Sequence, residues 1–94
     1  MNPVKVDGKR KEPKLFLYTL STCGWCKKTK EFLKENEMTY EYVDVDKVNK
    51  DEQKEVIIEL KRRGAPLAFP IIIIDDKQLI SGFKKQAIEE AIAK

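Results

Sequence analysis

Apolar and polar positions divide the chain into short blocks whose period changes from one to the next. From Lys14 to Leu20 the residues are almost continuously apolar, which predicts a strand covered on both faces. From Gly24 to Glu37 the spacing is helical. Cys26, Thr29, Phe32 and Leu33 are expected to face the sheet, and Lys27, Lys28, Lys30, Glu31, Lys34 and Glu35 to cover the outside. Thr39 to Val45 is rich in β-formers and predicts a second strand. Asn49, followed by Glu52, is close to a capping box and opens a second helix with Val56, Ile57 and Leu60 as its apolar stripe. Lys61, Arg62 and Arg63 suit the negative end of that helix, and Gly64 and Pro66 stop it. Ile71–Ile74 predicts a buried central strand, with Pro70, which lacks an N–H, at its start. Asp75-Asp76-Lys77 reads as a turn into a return strand, Gln78–Ser81. Ala87, Ile88, Ala91 and Ile92 mark the buried face of a terminal helix between Lys84 and Ala93.

The order is therefore β-α-β-α-β-β-α, an α/β chain. A short strand–helix–strand crossover makes the first two strands parallel and right-handed in connection, and the last two form an antiparallel hairpin. The expected architecture is a four-stranded mixed sheet with helices on both faces. Residues 1–13 are polar and punctuated by Pro3, Gly8 and Pro13. A mobile N-terminal tail is expected there, although the alternation of Val4 and Val6 permits a short edge strand. Residues 14–94 form the single domain that a 94-residue chain allows.

Charge changes this picture little. Charged residues make up 37% of the chain and the net charge is only +3, with the aromatics in strands and helix starts rather than interleaved with a basic patch, so nucleic acid is not expected as a partner. Ile71–Ile74 is far too short an apolar run to span a bilayer. No apolar signal region opens the chain, so a reducing, cytoplasmic setting is expected for its two cysteines.

Those cysteines carry the candidate chemistry. Cys23-Gly24-Trp25-Cys26 stands where the first strand ends and the first helix begins. Cys23 falls at the N-cap, where the free N–H groups of the first turn and the helix dipole favour a thiolate, and Cys26 is the expected donor to its sulfur. A thiolate is the attacking species in disulfide exchange, and a second thiol one turn away can resolve the mixed disulfide. A structural zinc site is disfavoured, because the chain has no histidine and no second cysteine pair. Trp25 allows two readings: a core residue, or a partly exposed ring beside the thiol that meets a partner.

From Lys14 to the end the sequence resembles a glutaredoxin of the thioredoxin superfamily. The resemblance rests on Cys23-Gly24-Trp25-Cys26 after the first strand, Phe69-Pro70 before the third, and Ser81-Gly82-Phe83 after the hairpin, where the family usually has paired glycines. It implies the thioredoxin fold and a dithiol–disulfide oxidoreductase of protein disulfides, with Cys23 as nucleophile and Cys26 as resolving thiol. It also implies a cis bond before Pro70, and a substrate laid along Phe69 beside Trp25, Gly82 and Phe83. Lys27, Lys28, Lys84 and Lys85 would form a basic rim if the Gly82 loop lies beside the first helix. A monomer without a resident cofactor is expected.

Departures from the family bear on the electron donor. Members that use glutathione commonly carry a basic residue where Leu20 stands, threonine where Ala68 stands, and acidic or polar residues where Phe83, Lys84 and Lys85 stand. Ser81-Gly82-Phe83 is instead similar to the glutaredoxin-like redoxins that serve ribonucleotide reductase and draw electrons from thioredoxin reductase. Glutathione and thioredoxin reductase both remain candidate donors. Gly24 replaces the proline of many glutaredoxins, a change sometimes associated with an iron–sulfur cluster bridged between two protomers, which is the alternative reading.

Overall fold

The computed structural model describes residues 2–93. Strand β1 spans Val4–Val6, β2 Leu15–Thr19, helix α1 Gly24–Glu35, β3 Tyr40–Asp44, α2 Lys50–Arg62, β4 Ile71–Ile74, β5 Gln78–Ser81 and α3 Lys85–Ile92, with a 3-10 turn at Val45–Lys47. The strands form one sheet in the order β1-β3-β2-β4-β5. β2 and β3 are parallel, joined by α1, while β4 runs antiparallel to both β2 and β5. The sheet thus has five strands where the sequence predicts four. The additional one is β1, from the segment read as a tail, and it pairs antiparallel with the outer edge of β3.

Side-chain burial explains the layers. All four isoleucines of β4 are buried, two toward each face. On one face Ile72 and Ile74 pack with Leu15, Leu17, Leu33 of α1 and Ile88, Ala91 and Ile92 of α3. On the other, Ile71 and Ile73 pack with Tyr18, Val43 and the α2 residues Val56 and Leu60. Burying an isoleucine is worth about 1.5–3 kcal/mol, so β4 is a main contributor to both half-cores.

Capping fixes the helix ends. Asn49 Oδ1 accepts the Glu52 N–H at 2.8 Å, and its Nδ2 donates to Glu52 Oε1 at 2.9 Å. Ile57, expected in the apolar stripe of α2, is 37% exposed; only Val56 and Leu60 of that helix are buried, because Ile57, the residue after Val56, stands about 100° round the helix from it at ~3.6 residues per turn. α1 stops at Glu35, two residues early, since Glu37 takes a left-handed conformation (φ 58°) that turns the chain into β3. The N-terminal segment is tied in beside this turn. Gly8 donates to Thr39 Oγ1 at 2.9 Å, and a Cβ at Gly8 would lie 2.3 Å from the Glu37 carbonyl oxygen, so only glycine fits. Across the sheet, Asp75 and Asp76 both have positive φ (52° and 58°), a turn geometry that aspartate tolerates and that matches strand twist.

Candidate active site

Cys23 is the N-cap of α1, in extended conformation, as its position after β2 dictates. Its Sγ accepts the Cys26 N–H at 3.2 Å, so one of the helix's free amides points at the sulfur. Cys23 is partly exposed, whereas Cys26 is 1% exposed and faces the sheet. The Leu20 N–H donates to Cys26 Sγ at 3.5 Å. Burial, and next the Cys23 side chain, push the Cys26 thiol up to about 12, against smaller opposing effects of the Leu20 amide and the Lys30 charge. Both thiols are free. The two sulfurs therefore differ in kind: one open and facing an amide, the other closed in and held as the thiol.

Two loops complete the site. The Phe69–Pro70 peptide is cis, and Pro70 is fully buried at the start of β4. Gly82, at φ 86°, donates its N–H to the Pro70 carbonyl at 2.7 Å, which ties the loop after β5 to the proline. A side chain at Gly82 has room but would strain that backbone. Ser81 Oγ donates to the Ala68 carbonyl at 2.8 Å and holds the other side of the same loop. Phe83 then stacks on Trp25, with ring centroids 5.9 Å apart, and meets Phe32 edge-on at 6.0 Å. Trp25 remains 57% exposed.

The four lysines of the expected rim divide. Lys28 Nζ lies 4.9 Å from the Trp25 ring centroid and Lys85 Nζ 6.0 Å from that of Phe32, so both border the aromatic cluster. Lys27 and Lys84 are exposed at the starts of α1 and α3.

Lys30, expected on the outer face of α1, is instead half-buried. Its ammonium sits 3.7 Å from the Tyr42 ring centroid and 3.3 Å from Asp44 Oδ1, which also accepts the buried Thr19 hydroxyl at 2.6 Å. The signal available in the sequence was its spacing: Lys30 follows Cys26 by one turn and shares its side of the helix. Phe32, read as core alone, is also the base of the aromatic stack. Among the described residues no group of three or more His, Cys, Asp or Glu side chains is placed to hold a metal ion, and no helix is long and apolar enough to cross a membrane.

Comparison with known proteins agrees with this geometry. The Glutaredoxin family model matches residues 15–80. The chain is 36% identical over 78 residues to a glutaredoxin-like protein in the rubredoxin operon of Clostridium pasteurianum, covering 83% of this chain and 96% of that one. Among solved structures, a glutaredoxin from Methanosarcina mazei superposes with a TM-score of 0.83 at 35% identity, covering 100% of this chain and 90% of that one. Methanoredoxin from Methanosarcina acetivorans does so with a TM-score of 0.80 at 37% identity, covering 93% and 90%. The chain, with its thioredoxin-like sheet and paired cysteines, belongs to the glutaredoxin family of the thioredoxin superfamily.

Proposed function

We propose that the protein reduces protein disulfides by dithiol exchange, with Cys23 as nucleophile and Cys26 as resolving thiol. One observation carries the reading: the partly exposed Cys23 sulfur accepts the Cys26 N–H at 3.2 Å while Cys26 itself is buried. An amide aimed at the sulfur, with the positive end of the α1 dipole behind it, faces the charge the sulfur carries as it attacks. The Cys23 thiolate attacks one sulfur of the substrate disulfide. The departing sulfur takes a proton, and a mixed disulfide forms on Cys23. The Cys26 thiol then gives up its proton and attacks the Cys23 sulfur. The second substrate sulfur leaves as a thiol, and a Cys23–Cys26 disulfide remains. Two electrons have passed to the substrate, and a donor must return two. Two sulfurs carry them, so the reaction needs no resident cofactor.

Trp25, Phe83, Phe69 and the backbone beside Pro70 form the substrate platform in this reading, with Lys28 and Lys85 at its edge. The partner is a disulfide-bearing protein, met by the protein as a monomer in a reducing compartment such as the cytoplasm. The test is insulin reduction with each cysteine replaced in turn. Cys23→Ser is expected to abolish turnover, and Cys26→Ser to accumulate a mixed disulfide seen by mass spectrometry. Normal turnover by Cys23→Ser would overturn the assignment, and a visible chromophore after anaerobic purification would point instead to a bridged iron–sulfur cluster.

A further inference from the structure

A second concave site lies on the α2 face of the sheet, at the end away from the dithiol. It encloses about 470 Å3, within the range of small-molecule pockets, about 300–1,000 Å3. Its floor includes Phe16, Tyr18 and Ile73, and the two rings meet edge-on with centroids 5.1 Å apart. Leu15, at the start of β2, also lines it, while Cys23 lies beyond the end of that strand. Most of the lining sits at the Leu15 end of that strand, and Tyr18, one residue before its last, is the lining residue nearest the dithiol along it.

The wall is cationic. Lys5, Lys11, Lys14 and Arg63 line it, against the carboxylates of Glu41 and Asp76. Arg63 is already committed, bonded to Glu59 Oε2 at 2.9 Å and to Asp76, and Lys5 lies 3.9 Å from Asp7. Lys11 and Lys14 are exposed, and neither enters an ion pair among the described residues. Two uncommitted ammonium groups thus stand over an aromatic floor. Lys5, Lys11 and Lys14 all precede residue 15, where the match to the family begins, so three of the four cations of this wall come from the N-terminal segment and the fourth, Arg63, from the end of α2.

We infer that this pocket binds a small organic anion with a planar ring, the ring lying against the partly exposed Phe16, which the buried Tyr18 backs edge-on, and a phosphate or carboxylate meeting Lys11 and Lys14. Each half of the ligand has its counterpart: a ring face for the aromatic floor, and negative charge for a wall with an excess of cations. Because the dithiol lies past the other end of β2, an occupant here leaves Cys23 open to its substrate. The site is therefore independent of the exchange reaction and of its assignment.

The test uses phenyl phosphate, with inorganic phosphate and phenol as separate arms, titrated into isotope-labelled protein and followed by NMR. Phenyl phosphate is expected to shift the Phe16, Tyr18 and Ile73 resonances saturably and leave Trp25 unmoved. Inorganic phosphate and phenol should each bind at least about tenfold more weakly, since each lacks one half of the recognition. The double variant Lys11→Glu/Lys14→Glu, at exposed positions, should weaken phenyl phosphate at least about tenfold, and Lys11→Gln/Lys14→Gln should weaken it less. Shifts that do not saturate, that follow inorganic phosphate equally over all lysine-bearing surfaces, or that survive the charge reversal would each overturn the proposal.

Discussion

Trp25 and Phe83 stack across the gap between the start of α1 and the loop before α3, with 26° between their planes. They are far apart in sequence, and the contact couples the dithiol helix to the Gly82 loop. That loop is in turn bonded to Pro70 through the Gly82 amide. Helix start, proline and aromatic pair are thereby set in one arrangement, which in the proposed reaction would lower the ordering cost of docking a substrate. One face of the indole is spent on Phe83, and much of the rest stays in water. A large exposed ring beside the cysteine pair is the kind of surface that marks a contact site.

Trp25→Ala and Phe83→Ala should each lower kcat/KM for a protein disulfide by about tenfold, the equivalent of about 1.4 kcal/mol of lost contact. A small disulfide that does not reach the rings should be reduced at a nearly unchanged rate. The double variant should lose less than the sum, because the two rings support one another. Equal losses on small and large substrates would mean that the rings act on the helix start rather than on the partner.

The pH dependence of the two thiols should diverge. Cys26 is pushed up to about 12 by burial and by the Cys23 side chain. Iodoacetamide near neutral pH should therefore label Cys23 and spare Cys26. The same shift is a stability term. In the unfolded chain the thiol loses its proton near pH ~8.5, and in the folded chain only near the raised value. The contribution is fully present below about pH 8.5 and is lost as pH rises toward the folded value. Tyr18 and Tyr40, also raised by burial, add the same sign at higher pH. Urea melts of reduced protein should show the midpoint falling from pH 8 to pH 10, less steeply in Cys26→Ser. Identical slopes would show that Cys26 does not carry the term.

How far this was legible in advance depends on the range of the interaction. The Cys23 cap and the capping box at Asn49 are dictated by neighbours within a few residues, and the unbroken apolar run Ile71–Ile74 announces its own burial, so the chain shows all three directly. β1 was ambiguous, because a three-residue strand holds only by pairing with β3 and by Thr39 reaching back to Gly8. Lys30 was misplaced for a related reason. On helical period it belongs with the exposed lysines, but Asp44 and Tyr42 of β3 draw it inward. The pocket over Phe16 and Tyr18 could not be read at all, since its wall is assembled from four separate segments.

Lys30, Asp44 and Thr19 form a half-buried network beneath the helix that carries Cys26, and its removal should be felt in stability. Asp44→Ala leaves the Lys30 ammonium and the Thr19 hydroxyl to find other partners. Thr19 retains the Val43 carbonyl at 3.2 Å, but Lys30 keeps only the Tyr42 ring. The expected loss is about 1–3 kcal/mol in chemical denaturation. A change below ~0.5 kcal/mol would mean that water screens the pair as it does an ordinary surface ion pair.

For the proposed reaction, the residues at the recognition positions predict the electron donor. Glutathione is a small anion, and relatives that use it commonly present a basic residue where this chain has Leu20. That side chain packs against the apolar cluster under α2, and its backbone N–H is given to Cys26. Phe83 is taken up in the aromatic stack, and Lys84 and Lys85 offer the wrong sign for the ammonium end of the tripeptide. A charge-assisted hydrogen bond is worth ~1.5–3 kcal/mol. Losing two such bonds weakens glutathione by roughly two to four orders of magnitude, at about 1.4 kcal/mol per tenfold. Lys27 or Lys28, both exposed, would restore part of this only by meeting a glutathione carboxylate, and Lys28 would first have to leave the Trp25 ring. A protein donor that covered Trp25 and Phe83 would be less affected. Turnover of one disulfide substrate should therefore be faster with thioredoxin and its reductase chain, or with thioredoxin reductase alone, than with glutathione and glutathione reductase at matched concentrations. Leu20→Lys should improve the glutathione rate without changing the other. Saturation of the unmodified protein at ordinary millimolar glutathione would show that the recognition positions do not govern donor choice.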